Sequence, residues 1–103
     1  MVLLDLLGRR NTLRVLWELS QSRSPLKFRA LQVAAGTNPT VLNARLKELR
    51  AARLVNHGSE GYELTPEGRS LLHLILPLHQ WAEAWASEQS LSRGRTRPSV
   101  TDD

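Results

Sequence analysis

The 103-residue chain contains no cysteine, which excludes disulfides, thiolate metal sites, nucleophilic thiols and thiol-based redox sensing together. It has no long hydrophobic run. The apolar stretch at residues 2–7 is far too short to span a bilayer and lacks a basic start and a small-residue cleavage site. Neither a signal peptide nor a membrane anchor is expected, and the cytoplasm is the expected location. Metal chemistry lacks its ligands, because His57, His73 and His79 are scattered with no partner at a ligating spacing, so no metal is expected. Glu63 and Glu67 have no base, nucleophile or glycine-rich phosphate loop beside them. The sequence therefore predicts no enzyme, no catalytic residue and no cofactor.

What is present is a modest core and an uneven charge. Apolar residues make up 41% of the chain, gathered in periodic blocks, which suffices for one domain. Formal net charge is +4, but the two signs are segregated. Residues 9–53 hold ten basic side chains against two acidic ones, whereas residues 54–92 hold one basic side chain against five glutamates. The first half is thus the expected face for a polyanion, against the simpler reading of a solvated basic surface.

Periodicity supplies the elements. Leu3, Leu6 and Leu7 fall at helical spacing before Gly8, and Leu13, Leu16, Trp17 and Leu19 resume it. Residues 26–28 after Pro25 suggest a brief strand, and residues 30–35 a short helix ended by Gly36. Asn38 is then an N-cap and Pro39 a first helical residue, where a missing N–H costs nothing. In the helix that follows, Leu42, Leu46 and Leu49 form an inward stripe. The opposite stripe is Thr40, Asn43, Ala44, Lys47 and Ala51, which is small, polar and basic.

Residues 54–57 and 62–64 predict two short strands around the turn at 58–61. Thr65 caps and Pro66 starts a long helix, along which Leu71, Leu74, Leu78, Trp81 and Trp85 repeat in steps of three and four. Leu72, Ile75 and Leu76 lie beside that stripe, making the apolar arc wider than one core contact requires. Residues 91–103, rich in Ser, Thr, Arg and Asp, have no periodicity and predict a disordered tail after a domain at 1–90.

A short helix, a glycine turn and a capped second helix form a helix-turn-helix, and the hairpin after it makes the expected fold mainly α with a small wing. The second helix of such a unit lies in the DNA major groove. Asn43 can read adenine bidentately, Lys47 can reach guanine or a phosphate, and Thr40 can meet a phosphate or a thymine methyl. Candidates for the DNA backbone are Lys27, Arg29, Asn38, Arg45, Arg50, His57 and Ser59. The alternative is a protein-interaction module of the same fold, for which an apolar outward stripe would be expected. Trp17, Trp81 and Trp85 could line a pocket for a small-molecule effector, although aromatics at helical spacing more often anchor a core or interface.

Residues 6–10 (LLGRR), 25–28 (PLKF), 39–49 (PTVLNARLKEL), 54–55 (LV) and 62–69 (YELTPEGR) resemble the successive motifs of the HxlR-type winged-helix regulators. The last of these is shared with MarR-like and PadR-like winged helices. The resemblance covers about residues 3–86. It implies a homodimer held by its terminal helices, through Leu3, Leu6, Leu7, Leu71, Leu74, Leu78, Trp81 and Trp85, that binds an inverted repeat in double-stranded DNA. It also implies base reading by Thr40, Asn43, Ala44 and Lys47, with Lys27, Arg45 and the hairpin on the backbone. Three departures stand out. Asn11 replaces a usual tryptophan, the sensing cysteine of many members is absent, and the short hairpin carries Glu60 and no arginine at its tip, which argues against minor-groove insertion.

Overall fold

The computed structural model describes the backbone of residues 2–100 and the side chains of residues 2–89. In chain order the elements are α1 (Val2–Leu7), α2 (Thr12–Gln21), α3 (Phe28–Ala35), α4 (Pro39–Ala51), β1 (Val55–Gly58), β2 (Gly61–Leu64) and α5 (Pro66–Val100). This is the mainly helical winged helix-turn-helix that the motif order predicts. It forms two compact units that divide after Leu72, within α5.

The core of the first unit is aliphatic. Leu16, Leu31, Leu42, Leu46 and Leu49 are fully buried, so α2, α3 and α4 each contribute to it. Burial of each such side chain contributes roughly 1.5–3 kcal/mol. The buried face of α2 is Thr12, Val15, Leu16 and Leu19. Leu13 is turned to solvent at 43% exposure, because the inward stripe starts one residue earlier than its leucine pattern suggests. Asn11 stands at φ 67°, a left-handed conformation that asparagine tolerates, and its Oδ1 accepts a hydrogen bond from Thr37 Oγ1 at 3.3 Å. In place of an aromatic contact, residue 11 thus ties the start of α2 to the turn before α4.

The strand predicted at 26–28 is reduced to one residue. Leu26 N donates to the Tyr62 carbonyl at 2.9 Å and Tyr62 N donates to the Leu26 carbonyl at 2.7 Å. Phe28 already belongs to α3, whose first backbone bond runs from Leu31 N to the Lys27 carbonyl. Gly36 ends α3 at φ 64°, as its position predicts.

The start of α4 also follows its signal, with Val41 N donating to Asn38 Oδ1 at 2.8 Å and Pro39 in the first turn. Its end is unusual. Leu54 N donates to the Leu49 carbonyl and Arg53 N to the Arg50 carbonyl, a closure that normally places glycine at the left-handed position. Here Arg53 occupies it at φ 62°, at a cost of about 1 kcal/mol.

The wing is a two-stranded antiparallel hairpin in which Val55 faces Leu64, Asn56 faces Glu63, His57 faces Tyr62 and Gly58 faces Gly61. Such a hairpin is marginal by itself. Here it is anchored by the buried Val55, Tyr62 and Leu64 and by the bridge to Leu26. Thr65 then joins wing, α4 and α5. Its Oγ1 donates to the Arg53 carbonyl at 2.7 Å and accepts from Gly68 N at 2.9 Å, with the residue 6% exposed. Thr65→Ala should therefore lower unfolding free energy by about 2 kcal/mol, since it removes a helix cap and orphans one buried and one part-buried backbone group. Thr65→Ser should lose less than half of that. Urea unfolding of the two variants checks the difference, and equal losses would show that the methyl group rather than the hydroxyl matters.

The inward face of α5 is carried by residues beside the expected interface stripe. Gly68 and Leu72 are buried one turn apart, Leu71 is only half-buried, and the core contact falls to Leu72. Leu6 is likewise a core residue at 8% exposure, so it is not free for a partner chain, while Leu7 is half-buried and Leu3 exposed. The reason is geometric: Leu6 alone of the three leucines points inward from the short α1.

In the second unit Leu74, Leu78, Trp81 and Trp85 are all exposed. The rings of Trp81 and Trp85 stack along the helix with centroids 6.2 Å apart. Helix α5 runs to Val100, where the sequence predicts a disordered tail from residue 91. Residues 101–103 of the expected tail lie outside the described residues. No helix among the described residues is long and apolar enough to cross a membrane, and no group of three or more His, Asp or Glu side chains among them could hold a metal ion.

Candidate nucleic-acid interface

The face of α4 opposite its three buried leucines is set by the cap and the 3.6-residue period. It presents Thr40, Asn43 and Lys47 fully to solvent, with Ala44 half-buried between them. An alanine there leaves room for a base edge or a sugar to approach the helix backbone. Lys47 and Arg50, in the second half of α4, also form one wall of an open groove of about 620 Å³. The other wall is the wing, contributing Asn56, His57, Gly58 and Glu63. His57 lies flat on Tyr62, with ring centroids 3.9 Å apart and planes 4° from parallel, so its imidazole is held in place at the groove. Lys47, Arg50 and His57, separate in sequence, are thereby brought to one concavity.

The remaining expected backbone contacts divide into free and committed groups. Arg29 is exposed on α3. Lys27 is exposed but its Nζ donates to the Ser59 carbonyl at 3.0 Å, tying the start of α3 to the wing tip. Ser59 is exposed in the turn, and Asn38 has its Oδ1 engaged in capping. Arg45 is not disposed as a free phosphate ligand. Its side chain is only 14% exposed, its Nη2 donates to Glu48 Oε2 at 3.4 Å with Nε 3.0 Å from Glu48 Oε1, and its Nη1 donates to the Arg10 carbonyl at 3.4 Å.

Glu48 explains that inward turn. It meets Arg45 on its own helix and Arg9 from the segment after α1, at 3.7 Å. One carboxylate therefore links α4 to the start of the chain and holds Arg45 against the protein surface. The i, i+3 spacing of Arg45 and Glu48 is the sequence signal for this pair. Asn56 and Glu63 were also not among the expected site residues, and only the cross-strand register places them together at the groove.

The two glycines bounding the wing turn differ in what they permit. Gly61 has φ 131°, and a Cβ there would meet the Leu26 carbonyl oxygen at 2.5 Å. Gly58 has nothing within 4 Å of such an atom.

The arrangement can be set beside known proteins. The HxlR-like helix-turn-helix family profile matches residues 6–90. Among solved structures, the chain is similar to one described as a possible HxlR family transcriptional factor from Thermoplasma volcanium GSS1. The two share 27% sequence identity with a TM-score of 0.74, over 80% of this chain and 79% of that one. No curated protein matches the chain. With the capped α4, the wing closed on Leu26 and a profile match that runs from α1 into α5, the chain belongs to the HxlR-like helix-turn-helix family.

Proposed function

We propose that the chain is a sequence-specific DNA-binding transcriptional regulator that reads an inverted-repeat operator as a homodimer. The observation that carries this reading is the outward stripe of α4. Thr40, Asn43 and Lys47 are exposed, polar or basic, and continuous with the cationic wall formed by Lys47 and Arg50. A protein-docking helix would offer an apolar stripe there. The excess of basic residues between 9 and 53 supplies sequence-independent attraction, and Lys27, Arg29 and Arg50 are its exposed candidates near the reading helix and wing. Family membership supports the same class of function.

Dimerisation is supported by Leu74, Leu78, Trp81 and Trp85, an exposed apolar stripe on α5, with Leu3 and parts of Leu7 and Leu71 available besides. Two copies related by a twofold axis would set their reading helices about 34 Å apart, in successive major grooves.

Selection from random duplexes at physiological salt tests the reading directly. The expected product is a palindromic consensus. Asn43→Ala should flatten one position of each half-site, with a loss of about 10- to 100-fold on the preferred base. Enrichment of no palindrome by the unaltered chain would defeat the proposal.

A further inference from the structure

The groove between α4 and the wing pairs two cations with one carboxylate. Lys47 and Arg50 stand on the helix side, and Glu63 on the wing side faces the groove beside Asn56. All three are exposed, and among the described residues none of the three forms an ion pair. The carboxylate is therefore not engaged in a direct pair with Lys47 or Arg50. It is also no requirement of the hairpin, whose buried positions are Val55, Gly61, Tyr62 and Leu64.

A free carboxylate in a groove that meets a polyanion repels every phosphate that enters. The repulsion is offset only where the nucleic acid presents a donor. Base edges do so through exocyclic amines, of which the N4 amine of cytosine is the usual partner of a glutamate. We propose that Glu63 is a specificity-determining residue, weakening binding to arbitrary duplex while tolerating the operator, where a base amine meets its oxygens. The proposal rests on the DNA-binding reading of the same groove. It assigns the wing a part in discrimination in spite of its lack of arginine, and it makes the negative charge of the wing useful.

The test compares the full-length chain with its Glu63→Gln and Glu60→Gln variants by fluorescence anisotropy. The probes are the duplex enriched by the unaltered chain and a shuffled duplex of the same composition, each measured over a range of potassium chloride. Glutamine keeps the shape and one acceptor oxygen but removes the charge. Glu63→Gln should tighten binding to the shuffled duplex by about threefold to tenfold and tighten the operator by less, because there the lost repulsion is offset by a weaker bond to the base amine, so the specificity ratio falls. Glu60 lies in the wing turn and does not line the groove, so Glu60→Gln should leave the ratio as it is. Equal tightening on both duplexes, no change on either, or an equal fall in the ratio with Glu60→Gln would each overturn the proposal. An unaltered chain that binds no duplex overturns the regulator reading along with it, whereas binding with an unmoved ratio overturns the role of Glu63 alone.

Discussion

Gly68→Ala is expected to destabilise the protein by about 2 kcal/mol, in a position where helix propensity predicts the opposite sign. Alanine is favoured over glycine by about 1 kcal/mol inside a helix. Yet a Cβ at residue 68 would be driven into the carbonyl oxygen of Leu54, with the Leu64 side chain 3.3 Å away on the other side. The carbonyl has little room to retreat, since it accepts the Thr65 N–H at 3.0 Å. The helix cannot retreat freely either, because Gly68 N is held by Thr65 Oγ1. Overpacking against backbone costs as much as 3 kcal/mol, more than the propensity gain. Chemical denaturation measures the result, and a variant as stable as the parent would show that α5 slides past Leu54 without penalty. The spacing of threonine and glycine in residues 62–69 thus has a mechanical cause: Thr65 caps the helix and Gly68 lets it pass close to Leu54.

The second large effect concerns assembly. Replacing Leu78 and Trp81 together by serine should convert the protein to a monomer in sedimentation and lower operator affinity by about 100-fold, because the second half-site is no longer bound by a tethered partner. The two side chains are 59% and 62% exposed, so their removal leaves the buried leucines of the first unit in place. A tryptophan that becomes covered in a dimer contributes roughly 4 kcal/mol of apolar burial, an upper bound before side-chain ordering is subtracted. An unchanged sedimenting mass would remove α5 from the interface and return the question to α1. A monomer that still bound the operator with parental affinity would separate assembly from recognition.

The features legible in the sequence are those with local causes. The Asn38–Pro39 start of α4, the Gly36 end of α3 and the Thr65 cap each depend on side chains within a few residues of the backbone they serve, and each occurs where expected. The outward stripe of α4 was equally readable, because a helical period with three leucines has only one exposed side. What escaped depends on distant partners. Residues 26–28 resemble a strand, but with a single pairing to Tyr62 available, the local preference of residues 28–35 for a helix prevails. Arg45 reads as one more cation in a basic segment until Glu48 and the Arg10 carbonyl are seen to enclose it. Leu6 and Leu72 carry the same apolar label as their neighbours, and only the tertiary arrangement assigns them to the core.

The unequal glycines of the wing bear on how recognition in such a protein can diversify. Position 61 is closed to any side chain by its positive φ and by the Leu26 carbonyl, so glycine is required there. Position 58 is open space in an ordinary backbone conformation, at the edge of the groove. A Cβ introduced there would meet no atom within 4 Å. The wing therefore pairs one position closed to side chains with one open to them, and the open one is where the groove can be altered at least steric cost to the hairpin.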